Sequence, residues 1–176
     1  VARQAGVRVA EQFLLTRDEW DADQAAILER VANEVGYPCL IKSPCQGSSI
    51  GMAIPKDEAH FKKSLLDVFM YGDLVMVEKF VKGTEVTCAV LDVEDGKSPR
   101  ALPVIEICPV DSEFFDYHAK YTPGACNEIV PARISAEATK KVQAVAERVH
   151  HVIGCSGFSR SDMILDGDDP VWIEIN

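Results

Sequence analysis

The sequence has no long apolar run, no excess of basic charge and no cysteine-pair motif. None of its apolar stretches approaches the roughly 20 residues that a membrane-spanning helix needs. Lys and Arg total 18 against 28 Asp and Glu, a formal charge of -10. That balance argues against nucleic acid, which is bound through a net basic face. A small anionic substrate needs only a few local cations. The six cysteines are Cys39, Cys45, Cys88, Cys108, Cys126 and Cys155. None forms a C-x-x-C and none lies beside a histidine at zinc spacing. With no signal-peptide pattern they read as reduced thiols in a cytoplasmic protein, and each as a small buried hydrophobe.

Aromatic residues are also scarce, at 7% of the chain against 47% hydrophobic overall, so the core should be aliphatic. Internal repeats and low-complexity linkers are absent. The 176 residues suffice for one large domain or two small lobes sharing a cleft. Both ends read as cut. "VARQAGVRVA" begins as if within a helix, without an initiator Met, and "VWIEIN" stops within a strand, so a fragment of a longer protein is expected.

Periodicity and punctuation place the elements. Val9 to Leu15 reads as extended, and Asp21 to Val35 as a helix stopped by Gly36. Pro38 to Lys42 is a strand with Gly51 to Ile54 as its return. Lys56 to Met70 is a helix with an apolar stripe of Phe61, Leu65, Leu66, Val68 and Phe69. Leu74 to Phe80, Glu85 to Leu91 and Pro103 to Ile107 are strands, and Asp111 to Asn127 is a long irregular loop of the kind that often forms a lid. A helix runs from Ser135, its cap, to Ile153 before Gly154. Phe158 to Leu165 and Val171 to Ile175 close as a hairpin over "DGDDP". Short mixed strands with segregated helices indicate an α+β fold.

Three stretches carry chemistry. In "CLIKSPCQGSSIGMAI", a lysine ends one strand and Gly47-Ser48-Ser49-Ile50-Gly51 joins it to the next. This is not a Walker A loop, which needs G-x-x-x-x-G-K followed by Ser or Thr. Successive N–H groups in such a glycine turn can form an anion nest, with Lys42 supplying a point charge. A plain solvated hairpin is the alternative. In the last hairpin, a turn centred on Asp168 sets Asp162 opposite Glu174 and Arg160 opposite Asn176, all on one face. Directly opposed carboxylates repel unless a cation lies between them. Oxygen donors plus an amide suit a hard ion such as Mg²⁺, and Arg160 could hold an oxyanion. Phe158, Met163, Ile164, Trp172 and Ile173 flank the set and read as buried. In "VMVEKFVKGTEV", Glu78 and Glu85 bracket a turn and could receive an adenine amino group and ribose hydroxyls, or could be solvated charges.

Taken in order, "IKSPCQGSSIGM", "VEKFVKGTEVTCAVL", "FFDYHAKYTPG" and "GCSGFSRSDMILDGDDPVWIEIN" resemble the ATP-grasp superfamily, and within it the D-alanine-D-alanine ligases. The resemblance spans nearly the whole chain. It implies an ATP-grasp fold in which two α+β lobes sandwich the nucleotide. Residues 1–82 would form the central lobe with its glycine-rich flap, and 83–176 an incomplete C-terminal lobe with lid and metal hairpin. The implied reaction joins two D-alanines for peptidoglycan precursor synthesis. ATP phosphorylates one carboxylate, and the second amine displaces phosphate from the acyl phosphate.

By the same resemblance, Lys42 contacts ATP phosphates and Ser49 joins it in the flap. Glu78 meets adenine, with Lys79, Phe80 and Val81 lining the base site, and Glu85 takes the ribose. Lys120 reaches the γ-phosphate from the lid, while Tyr121 and Ser48 close over the substrates. Asp162, Glu174 and Asn176 bind Mg²⁺, two ions in the family, with Mn²⁺ as a substitute. Arg160 stabilises the tetrahedral intermediate. A homodimer of the full-length protein is compatible with this resemblance. D-serine or D-lactate as acceptor, or a nucleotide-binding domain without turnover, are the rival readings.

This sequence departs from the family pattern in three respects. Ser43 separates Lys42 from Pro44, where Lys-Pro is usual. The family's N-terminal lobe and the segment after Asn176 are not in this chain, so the resemblance implies that the chain alone does not turn over.

Overall fold

The computed structural model describes residues 1–46, 50–93, 99–109 and 126–176. They fall into two compact units, Ala10–Phe80 and Val1–Val9 with Val81–Asn176.

The Ala10–Phe80 unit is a sheet with helices on one face. Its strands are β1 (Gln12–Thr16), β2 (Cys39–Lys42), β3 (Met52–Ala53) and β4 (Leu74–Lys79), ordered β1-β4-β2-β3 and paired antiparallel. Strand alternation sends Phe13, Leu15, Cys39, Ile41, Val75 and Val77 to one face, where they are buried. They pack against Trp20, Ile27, Val31, Phe61 and Leu65 from the helices. The opposite face carries Leu40, Lys42, Met76 and Glu78, all half-buried.

The helical part begins earlier than the sequence reading placed it. α1 (Arg17–Ala22) precedes α2 (Gln24–Arg30), and the break falls at Asp23. Thr16 and Glu19 form a reciprocal capping box at the start of α1. Asp23 caps α2, accepting from the Ala26 amide, so the expected start at Asp21 lies inside α1. α3 (Glu58–Val68) is capped by Asp57 and buries Phe61, Leu65 and Val68. Leu66 faces solvent at 55% exposure, outside the expected apolar stripe, because the buried positions follow the i, i+4, i+7 face.

The second unit contains β5 (Thr84–Leu91), β6 (Arg100–Ala101), β7 (Ile105–Pro109), β8 (Cys126–Ile129), β9 (Phe158–Asp166), β10 (Asp169–Ile175) and α4 (Ala136–Ile153). The sheet order is β10-β9-β5-β7-β8, with β6 on β5. Ser135 and Gly154 cap α4 as expected: the serine side chain accepts from the Ala138 amide, and Gly154 adopts a left-handed φ of 79°. α4 lays Ala138, Val142 and Ala146 on Val86, Cys88, Val90, Met163 and Leu165. The N-terminal segment completes this unit. Ala2 and Val7 pack with Val149, and the Trp172 amide donates to the Arg8 carbonyl at 2.9 Å.

Two expectations need correction here. Cys126 and Asn127, read as loop, begin β8, whose pairing with β7 runs Glu106↔Ile129 to Pro109↔Cys126. Cys45 is exposed rather than a buried hydrophobe, because it sits in the turn after β2. Cys39 and Cys88 are buried, and burial pushes both thiols up to about 11, so neither is a nucleophile at neutral pH.

Glu106 ties β7 to the segment after β8. Its carboxylate accepts from Arg133 Nε at 2.9 Å, Nη2 at 2.7 Å and the Arg133 backbone amide at 3.0 Å. These bonds, chiefly the side-chain ones, hold its pKa down at about 2 against an ordinary 4.5. A depressed carboxylate stabilises the fold above its unfolded pKa and loses that stabilisation as pH falls through the folded one. The gap sets an upper limit of about 3 kcal/mol, and solvent around the 66%-exposed Arg133 reduces it to about 2 kcal/mol. Glu106→Gln should therefore destabilise by about 2 kcal/mol at pH 7, with the difference from wild type shrinking as pH falls from about 4.5 toward about 2. Urea midpoints across that window test this; a pH-independent difference would contradict it.

Candidate functional site

The last hairpin gathers a cluster of polar side chains around Asp162. Its turn is Gly167–Asp168, with Asp166 opposite Asp169, not a turn centred on Asp168. Gly167 adopts a left-handed φ of 64°, which suits glycine in so tight a turn. From this turn alone the register would put Asp162 opposite Ile173. A bulge between Trp172 and Glu174 inserts one residue and brings Glu174 opposite Asp162. The Asn176 amide and carbonyl then pair with those of Arg160, both at 2.9 Å. The expected facing pairs are observed, through two offsetting departures from the simple hairpin.

Neighbouring strands extend these pairs into rows across the sheet. Thr87, Asp162 and Glu174 form one row, and Ala89, Arg160 and Asn176 the next. These residues lie on the face away from α4. Asp162 is the hub. It accepts from Thr87 Oγ1 at 2.6 Å, from Arg160 Nε and Nη2 at 3.2 Å each, and from Asn176 Nδ2 at 3.2 Å. Its side chain is 17% exposed, whereas that of Arg160 is 47% exposed, so one partner is fixed in protein and the other reaches solvent. Glu174 is exposed. Met163 is buried as expected, and Ile164, Trp172 and Ile173 are half-buried. Phe158 is instead 58% exposed, because it shares the open face with Arg160 and Asp162.

On the Ala10–Phe80 unit, Lys42 Nζ lies 3.5 Å from Glu78 Oε2, with both side chains mostly buried. Leu40 pairs with Glu78 and Lys42 with Met76, so alternation brings the lysine and glutamate to the same open face. Lys79 is exposed, and its amide donates to the Glu11 carbonyl at 2.8 Å. Phe80 and Val81 are half-buried in the stretch joining β4 to β5. Glu85 is half-buried on β5, two residues before Thr87 and on the same sheet face. The remaining expected groups, Ser48, Ser49, Lys120 and Tyr121, lie outside the described residues. The flap's far end is described at Gly51, whose φ is 67° and whose Cα is covered by Tyr71: an added Cβ would lie 2.8 Å from the ring.

The hairpin meets the chemical requirements of a hard cation. Asp162, Glu174 and Asn176 offer only oxygen ligands once the Asn176 amide presents its carbonyl, and N and O of an amide are exchangeable by rotation. The two carboxylates face each other across the strand pair, and Asp162 carries the Arg160 guanidinium. No group of three or more His, Cys, Asp and Glu suited to a metal occurs among the described residues, so this set consists of two acids and an amide. The sequence singles out those residues as candidates but not Thr87, whose β-branched side chain gives no signal beyond strand propensity. Pairing with Asp162 became visible only with the β5–β9 register.

No described helix is long and apolar enough to cross a membrane. The model of the D-ala D-ala ligase C-terminus family matches residues 1–176. A D-alanine–D-alanine ligase of Halalkalibacterium halodurans is 40% identical over 175 residues, covering 98% of this chain and 54% of that protein. The chain thus spans about half the length of the curated relatives it matches. Among solved structures, the VanG D-Ala:D-Ser ligase of Enterococcus faecalis superposes with a TM-score of 0.80 at 34% identity, covering 99% of this chain and 49% of that one. The D-alanine–D-alanine ligase of Bacillus anthracis complexed with ATP gives 0.72 at 30% identity, covering 99% and 52%. These neighbours are ATP-grasp ligases, and the two-unit α+β architecture here has their fold. The chain belongs to the D-alanine–D-alanine ligase family, of which it carries the C-terminal ATP-grasp portion.

Proposed function

We propose that this chain is the nucleotide- and cation-binding portion of an ATP-dependent ligase that joins two D-alanines for peptidoglycan precursors, and so serves cell-wall synthesis and cell shape in the cytoplasm. The observation that carries the reading is the Asp162–Glu174 row with Arg160 and Asn176 beside it. Such a constellation belongs to phosphoryl-transfer chemistry, where positioning and charge compensation do most of the catalysis.

In this reading Asp162, Glu174 and Asn176 hold Mg²⁺, with Mn²⁺ as a substitute. When bound, the cation offsets phosphate charge and aligns the oxygens of an in-line transfer. Lys42 and Glu78 exchange their mutual contact for nucleotide: the ammonium turns to phosphate oxygens, and the carboxylate accepts from the adenine amino group. Lys79, Phe80 and Val81 line the base, and Glu85 accepts from ribose hydroxyls. Arg160, half-exposed and held to Asp162 by long bonds, is free to turn toward the oxyanion that forms when the second amine attacks the acyl phosphate. Ser49 in the flap and Lys120 at the γ-phosphate, with Ser48 and Tyr121 closing over the substrates, complete the proposal.

Two experiments test it. ATP with Mg²⁺ at about 100 times the dissociation constant should stabilise the chain by about 2.7 kcal/mol, read as a thermal shift. No shift would overturn the nucleotide-binding role. ADP release by the full-length protein should be fastest with D-alanine as acceptor. Faster release with D-serine would instead place it with the D-Ala:D-Ser ligases, as the 34% identity to one of them would then suggest.

A further inference from the structure

We infer that Thr87 is a positioning residue for the cation site: its hydroxyl sets the direction of the Asp162 carboxylate. The inference rests on the cation reading above and adds to it a residue that does not itself touch metal or substrate.

Thr87 is 7% exposed and lies directly opposite Asp162 in the β5–β9 register. Its Oγ1 is 2.6 Å from Asp162 Oδ1 and 3.2 Å from the Ser161 carbonyl. A hydroxyl has a single proton to donate, and the shorter contact to an ionised acceptor is the stronger one. The proton therefore goes to Oδ1. The other donors to Asp162 are of a different kind. Arg160 is long, charged and half-exposed, and Asn176 currently presents its NH₂ group. A cation at Asp162 displaces both, because it repels the guanidinium and takes the carbonyl side of the amide. Thr87 alone is neutral, buried and on the far strand, so it is the partner that persists. By holding Oδ1 it leaves Oδ2 on the side of Asn176, which is where the observed 3.2 Å contact places it. Ligand-orienting partners of this sort typically contribute about 10- to 100-fold to metal affinity.

The test is Mn²⁺ binding to the 176-residue chain, followed by electron paramagnetic resonance of the free ion, for wild type, Thr87→Val and Thr87→Ser. Valine keeps the shape and removes the hydroxyl; serine keeps the hydroxyl. Valine is expected to weaken Mn²⁺ binding about 10-fold and serine to restore it, with similar melting temperatures without metal. Should valine fail to fold, Thr87→Ala carries the same expectation. Wild-type binding that valine or alanine leaves unchanged, or that serine fails to restore, overturns the role of Thr87 alone. A wild-type chain that does not bind Mn²⁺ overturns the cation reading, and this inference with it.

Discussion

Gly83→Ala is expected to destabilise the Val81–Asn176 unit by about 3 kcal/mol or more, at or beyond the upper end for overpacking. Gly83 immediately precedes β5, whose first pair is Thr84 with Leu165. A methyl group on Gly83 would fall onto the Leu165 carbonyl oxygen, 2.8 Å from its carbonyl carbon and 2.9 Å from Ile164 Cγ2. The obstruction is mostly backbone, so no rotamer relieves it. Glycine in such a place marks a close approach of two backbones. To admit the methyl group, β5 must separate from β9, which strains the row holding Thr87 and Asp162. For a chain of this size about 3 kcal/mol lowers the melting temperature by roughly 6–12 °C. Gly157→Ala is the control. Gly157 has a φ of 77° and nothing within 4 Å of an added Cβ, so alanine there meets only the left-handed backbone penalty of roughly 1–2 kcal/mol. Equal melting temperatures for the two variants would contradict the steric argument.

The sequence made some of this architecture legible because the signals are local. Ser135 and Gly154 bound α4, and the alternation in Cys39–Lys42 separates Lys42 from the core. The capping box of Thr16 and Glu19 is equally local, and it places the helix start ahead of the expected Asp21. Other features are set by contacts distant in sequence. The bulge before Glu174 accompanies the Val9↔Trp172 bridge and the Trp172–Arg8 hydrogen bond. No pattern within "DGDDPVWIEIN" specifies it. The turn lies one register position from the expected one, and the bulge restores the Asp162–Glu174 pair. Strand β8 and the docking of Val1–Val9 beside α4 are nonlocal in the same way. For the candidate site, single-residue chemistry could be read directly: an acid, a lysine, an arginine. The hydroxyl of Thr87 and the Lys42–Glu78 contact depend on which strands are neighbours, which composition does not encode.

In the proposed role of oxyanion donor, Arg160→Met should lower the turnover number of the full-length protein by about 10²- to 10³-fold, the usual effect of removing one such donor. Arg160 is on the open sheet face beside Asp162, and both of its contacts to that carboxylate are 3.2 Å long. Charge-assisted pairs at their best are about 2.7–2.9 Å. The guanidinium is thus held near the site without being committed to Asp162. Its loss should matter mainly when negative charge develops, so the KM for ATP should change little while kcat and kcat/KM fall together. Stability should barely move, because the pair is 47% exposed on the arginine side and such pairs contribute about 0–1 kcal/mol. Arg160→Lys should recover only part of the rate, since an ammonium offers a point charge rather than a planar fork of donors. A rise in KM at constant kcat would reassign Arg160 to substrate binding. A large loss of melting temperature would make it a structural residue instead.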